Sequence, residues 1–346
     1  MDDRRRRRLL VAGLFLLAPF VGEFVLGNQP ITALPLLVLL APMYGGGALL
    51  VRETTRRLGA GWPTIVALAA AYALVEEGLV DQMLMNPAYL DLADFSGRAP
   101  IPGLGISAQL TAASLTLHTV WSIGVPIAII EAFDPAEPRP WLGRVGTGAV
   151  AAVFVGGCTA LGVLQYDEFR FLATPTQLAV TAAAIVGLAV LGLTVLRRRG
   201  TVAPTGAPAP RPVRVGAAAF GLTGLYWVVD VAVPAVAGAW TALGCWAALA
   251  VVAAVLLRRG AARPGWGRRH RLAVAGGALL TYLWVAPLNA VAVGVPPVLA
   301  AVGAAVFGAA AAAILALAVR AERRRAADAR EPDAREPAAP APDAGR

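Results

Sequence analysis

Apolar stretches long enough to cross a lipid bilayer recur ten times along this chain, separated by short polar gaps. They cover residues 9–26, 30–51, 62–80, 107–133, 145–164, 176–196, 213–233, 237–257, 272–294 and 296–319. A helix rises about 1.5 Å per residue, so roughly 20 apolar residues span the hydrocarbon. The pattern therefore predicts an all-α, polytopic integral membrane helix bundle of about ten transmembrane helices. Residues 1–196 form a six-span membrane region and 213–319 a four-span region. Between them, 197–212 is rich in Pro, Ala, Gly and Arg and reads as a flexible cytoplasmic linker. The tail 320–346 repeats Asp-Ala-Arg-Glu-Pro and then turns Ala- and Pro-rich, which predicts a disordered cytoplasmic segment.

Composition places the whole chain in lipid. It is 58% hydrophobic and 15% charged, with a mean hydropathy of +0.67, too apolar for a water-soluble core.

Charge then orients the weave. All 30 basic residues are arginine, and only Arg98 and Arg170 lie outside six clusters that occupy every second gap between spans. By the positive-inside rule this predicts cytoplasmic N- and C-termini in the cell membrane. The same arginines are expected to meet the lipid bilayer at anionic headgroups of the cytoplasmic face. A net charge of +9 might have suggested nucleic acid, but no basic aromatic face or nucleic-acid motif accompanies it, so nucleic acid is not expected as a partner. Cys158 and Cys245 both fall inside apolar spans and read as packing residues.

Ionisable groups inside a span are costly and so mark candidate function. They are Glu23, Glu76, Glu77, His118, Glu131 and Asp230. Counting inward from the predicted outer ends at about 1.5 Å per residue, Glu23, Glu76, Glu77, Asp230 and Asn289 share one layer roughly 4.5 to 7.5 Å deep. That layer predicts an outward-facing acidic vestibule able to attract a cation or hold a proton. Glu23 and Asp230 also hold matching places in spans one and seven, as in an internal repeat. Adjacent Glu76 and Glu77 point about 100° apart on an α-helix, which predicts that they address different partners.

Span four carries Ser107, Thr111, Ser114, His118 and Ser122 at steps of 4, 3, 4 and 4, one helical face. This polar seam reads either as interhelical packing or as a wet path toward His118. The glycines of Tyr44-Gly45-Gly46-Gly47 permit close helix contact or local unwinding. Glu131 and Asp134-Pro135 mark an inner helix end. No zinc signature, phosphate loop or other cofactor motif occurs, so no metal and no cofactor is expected.

Glu76-Glu77 followed by His118 resembles the CAAX-type prenyl-protease (Abi) family of intramembrane metalloproteases. Its Glu-Glu-x-x-x-Arg, Phe-x-x-x-His and His-x-x-x-Asn/Asp motifs hold a metal or activate water. The resemblance is confined to Glu76, Glu77 and His118, to which it would assign those roles. Asp81 stands at the arginine position, Ser114 at the phenylalanine and Ser122 where the Asn of a third motif would follow His118, while His270 lies in an arginine-rich loop. Depth also separates the candidates, with His118 about 16 Å and Glu77 about 4.5 Å from the outer surface on regular helices.

The expected function is a transporter-like permease using the vestibule for a cation, proton or small polar solute. The alternatives are a metalloprotease-like hydrolase using Glu76, Glu77 and His118, and a non-catalytic membrane assembly protein. A permease needs carboxylates facing a water-accessible cavity. A hydrolase needs a glutamate within about one water of His118.

Overall fold

The computed structural model describes residues 2–89, 98–136, 138–197 and 206–328. It contains ten helices long and apolar enough to cross a membrane, one for each predicted span. They are α1 Asp3–Val25, α2 Leu36–Arg57, α3 Trp62–Val80, α4 Ala108–Phe133, α5 Arg144–Phe169, α6 Pro175–Leu196, α7 Pro212–Ala237, α8 Ala239–Ala261, α9 Arg268–Ala292 and α10 Pro297–Asp328.

One boundary differs instructively from the sequence reading. Helix α10 runs on to Asp328, so residues 320–328 are helical rather than disordered, because Glu322 and Arg325 are anchored against the end of α4. Residues 198–205 of the linker and 329–346 of the tail lie outside the described residues.

Burial separates a core from a periphery. Over their most apolar windows, α1 to α4 and α9 are 56 to 67% buried, whereas α5 to α8 are only 6 to 17% buried and present their apolar side chains outward. One hydrophobic core joins both regions, with Trp121 of the first packed against Tyr226 and Tyr282 of the second. Trp121 stacks on Tyr282 at 5.2 Å and donates its indole N–H to the Ala278 carbonyl. The connection after α3 carries a short hairpin, β1 Pro100–Ile101 paired with β2 Ile106–Ser107. Gln177 of α6 donates to the Leu104 carbonyl and pins the hairpin there.

Glycine and proline set the closest contacts. Pro19 has no N–H to give the Phe15 carbonyl, and that carbonyl lies against Gly45, where a β-carbon would fall inside contact distance. The glycine run of α2 thus serves helix contact without unwinding. Gly45→Ala should push α1 off α2 and cost on the order of 1 to 3 kcal/mol by overpacking, read as a lower thermal midpoint in detergent.

Described arginines from several of the clusters gather at one end of the bundle. Arg139 pairs with Asp3 at 2.6 Å, Arg52 and Arg56 meet Glu131 at 3.1 and 2.8 Å, and Arg268 and Arg325 donate to the Asp134 carbonyl. At the other end, Asn28, in the turn after α1, and Asn289, near the end of α9, are hydrogen-bonded at 2.8 Å.

Candidate functional site

Three core helices deliver acid and imidazole through the same local device. Near the end opposite the arginine clusters, α1 widens into a π-helical turn at Phe20–Val25, α3 at Val75–Val80 and α4 at His118–Gly124. Such turns recur at functional sites because the extra residue per turn re-aims side chains. Each holds one glycine. A β-carbon at Gly22 would lie 2.8 Å from the Ser122 hydroxyl, and one at Gly78 would lie 2.6 Å from the Thr181 side chain. In α4, Pro126 stands two residues after Gly124 and withholds the N–H that would bond the Ser122 carbonyl.

These turns bring together what regular helices would hold apart. Glu77 Oε1 lies 2.7 Å from His118 Nε2, and Glu76 Oε2 lies 3.0 Å from His118 Nδ1. The predicted depth gap between Glu77 and His118 is therefore wrong. It assumed uniform α-helical rise and independent spans, whereas wide turns in both helices and their relative placement close it. The expectation that Glu76 and Glu77 address different partners is also overturned. Both reach one ring, from its two opposite nitrogens.

Ser122 completes the surroundings of the ring, its hydroxyl 3.1 Å from Nδ1. Two protonation patterns satisfy this geometry. An imidazolium donates Nε2–H to Glu77 and offers Nδ1–H to the Ser122 oxygen with the Glu76 carboxylate 3.0 Å away as a counter-charge, while in a neutral ring Nε2–H can donate to Glu77 as Ser122 donates to Nδ1. Glu76, Glu77, His118 and Ser122 are all buried. Glu77 Oε2 and the Tyr72 hydroxyl are buried without a hydrogen-bond partner among the described residues.

The third carboxylate stands beside this trio. Tyr44 donates to Glu23 Oε1 at 2.5 Å, and its ring lies 6.0 Å from that of His118. Asn28 donates to Glu23 Oε2 at 3.3 Å and accepts from Asn289 at 2.8 Å. A hydrogen-bonded line thus runs Tyr44–Glu23–Asn28–Asn289. Asp230 does not join it: its charged neighbour is Arg98, and it acts on Tyr226 one turn away. Matching positions in spans one and seven therefore do not hold matching surroundings.

The seam of span four is divided among separate tasks. Ser107 caps α4 by accepting from the Leu110 N–H and donates to the Arg98 carbonyl at 2.5 Å. Thr111 donates back to the Ser107 carbonyl, Ser114 is buried, and of these side chains it is that of Ser122 which bonds the His118 ring. The residues missed in the sequence are Tyr44, Tyr72 and Asn28. A signal existed, since Gly47 is where the Tyr72 ring packs and a β-carbon there would collide with it.

The donor set does not fit the metal that the family resemblance implies. Both carboxylates address opposite nitrogens of one imidazole, so the ring occupies the space between them. Among the described residues no three His, Cys, Asp or Glu side chains form a group that could hold an ion. No protein-family model, curated protein or solved structure matches the chain.

Proposed function

We propose that this chain is an intramembrane hydrolase that cleaves peptide bonds by glutamate–histidine acid–base chemistry, in a cell membrane with both termini cytoplasmic. The observation that carries this reading is the 2.7 Å contact between Glu77 and His118 inside the bundle, with Glu76 at 3.0 Å on the other nitrogen. A general base must lie within hydrogen-bond reach of the group it serves. The likeness of Glu76, Glu77 and His118 to the CAAX-type prenyl-protease motifs supports a peptide substrate. Gathering of arginines from several clusters at one end supports the orientation.

Glu77 is the base. Its Oε2 accepts a proton from water as the water oxygen bonds to the substrate carbonyl carbon. His118 holds Oε1 and fixes the carboxylate. Tyr72, whose hydroxyl has no hydrogen bond among the described residues, donates to the developing oxyanion. The proton on Glu77 then passes to the nitrogen as the C–N bond breaks, giving an acid and an amine. No step is routed through a metal.

The permease reading draws on a different feature, the Tyr44–Glu23–Asn28–Asn289 line, which could carry a proton toward the end of the bundle opposite the arginine clusters. Reconstituting the protein with host membrane proteins separates the two. A hydrolase yields new peptide termini by mass spectrometry with the wild type and none with Glu77→Gln. A permease yields no new termini, but acidifies or de-acidifies vesicles holding a pH-sensitive dye.

A further inference from the structure

A second polar feature lies one turn beyond Glu77, between the end of α3 and α5. It is a cavity of about 10 Å³ lined by Asp81, Gln82, Asn86, Gly162, Gln165 and Tyr166, among others. A volume of roughly 10 to 15 Å³ holds a single water when two to four polar partners surround it. Those partners are present. Asn86 is 5% exposed, and its Nδ2 has no hydrogen-bond partner among the described residues. Gln165 donates to the Tyr89 hydroxyl at 3.0 Å, and that hydroxyl lies 3.5 Å from Asp81 Oδ2. Tyr166, 48% exposed, connects the lining with the outer face of α5.

We infer that this cavity is a water site, and that Asp81 relays water and protons between it and Glu77. The inference rests on the reading of Glu77 as the base and adds how a buried base is supplied. Asp81 follows directly on the π-helical turn that carries both glutamates, its N–H bonded to the Glu76 carbonyl at 2.8 Å. Burial pushes the Asp81 carboxyl well above the usual range, and the nearby charges of Glu77 and Glu76 push it the same way. A carboxyl held protonated can donate toward Glu77 while accepting from the cavity water. Asp81 is a positioning residue in this scheme. The sequence feature that departs from the family motif, an acid in place of arginine, is thereby given a task.

The first variant fills the cavity and leaves every polar group in place. A β-carbon at Gly162 would sit 3.6 Å from the Val80 carbonyl, an ordinary contact, so the backbone accepts a side chain there. In reconstituted full-length protein, deuterium exchange of the buried carboxyls is followed by infrared spectroscopy after mixing with heavy water. Gly162→Leu should slow that exchange by at least about tenfold, equivalent to about 1.4 kcal/mol of added barrier. Gly162→Ala should leave the cavity largely open and the rate near wild type. Gln165→Leu, which removes a lining donor, provides a second arm should Gly162→Leu fail to fold. Unchanged exchange in a folded Gly162→Leu or Gln165→Leu protein overturns the inference. The readout does not require turnover, so slowed exchange without any peptide cleavage would reject the hydrolase reading and keep the water site.

Discussion

Glu77→Gln should abolish peptide cleavage while leaving the ten-helix bundle folded. The amide matches the carboxylate in shape and can still bond His118 Nε2, so the 2.7 Å contact has a substitute. What the amide cannot do is take the proton from water. General-base catalysis contributes about 10² to 10⁴-fold in rate, and loss of that order is expected in the initial rate of product formation. His118→Gln should fall similarly, because it releases Glu77 and removes the group both carboxylates address. Glu76→Gln should cost less. Its Oε2 lies 3.0 Å from Nδ1 but outside hydrogen-bonding geometry, and Ser122 still serves that nitrogen. Ser122→Ala removes one hydrogen bond of about 0.5 to 1.5 kcal/mol, so roughly a tenfold effect bounds it. Equal activity of wild type and a folded Glu77→Gln, measured by mass spectrometry of product termini, would falsify the base assignment.

The ranking also shows what could be read from the sequence. Hydrophobic length revealed the ten helices, because a spanning segment must satisfy its backbone within itself and so announces itself in composition. The rarity of ionisable groups in those spans likewise marked Glu23, Glu76, Glu77 and His118. Their meeting was not legible. Depth counted on regular helices treats each span as an independent ruler, and the wide turns at Val75–Val80 and His118–Gly124 break that assumption in both helices that matter. The glycines within those turns, with Pro126 behind one of them, were visible clues of the same kind. Asp230 failed for the opposite reason. Its depth matched that of Glu23, but depth says nothing of which way a helix face turns, and the charge that acts on it is that of Arg98 rather than of the glutamates. Glu131, read as a mere helix end, proved to be the centre of a buried ion network, since pairing across sequence distances of 75 residues leaves no local pattern.

Glu131→Gln should be the most destabilising single substitution at the arginine end, by about 3 to 5 kcal/mol, the usual result of removing one partner from a buried ion pair. Arg56 donates to both carboxylate oxygens of Glu131 at 2.8 Å, and Arg52 reaches the same carboxylate at 3.1 Å. Arg52 also pairs with Glu53 at 2.5 Å, and its guanidinium lies over the Trp141 ring. These two cations and two anions are buried, so their charges balance only while all four remain. Deleting the Glu131 charge strands Arg56, whose other bond is to the Ala60 carbonyl. The damage should spread, because Glu53 accepts the backbone N–H groups of Trp141 and Leu142 and so ties the connection after α4 to the same quartet. Arg56→Lys should be damaging too, since an ammonium cannot match the two-pronged contact. The double replacement Arg56→Met with Glu131→Leu removes both charges and should cost less than the sum of its parts. Thermal unfolding in detergent measures all of these. A Glu131→Gln protein within about 1 kcal/mol of wild type, the range of an exposed pair, would mean that water reaches this end of the bundle and screens the quartet.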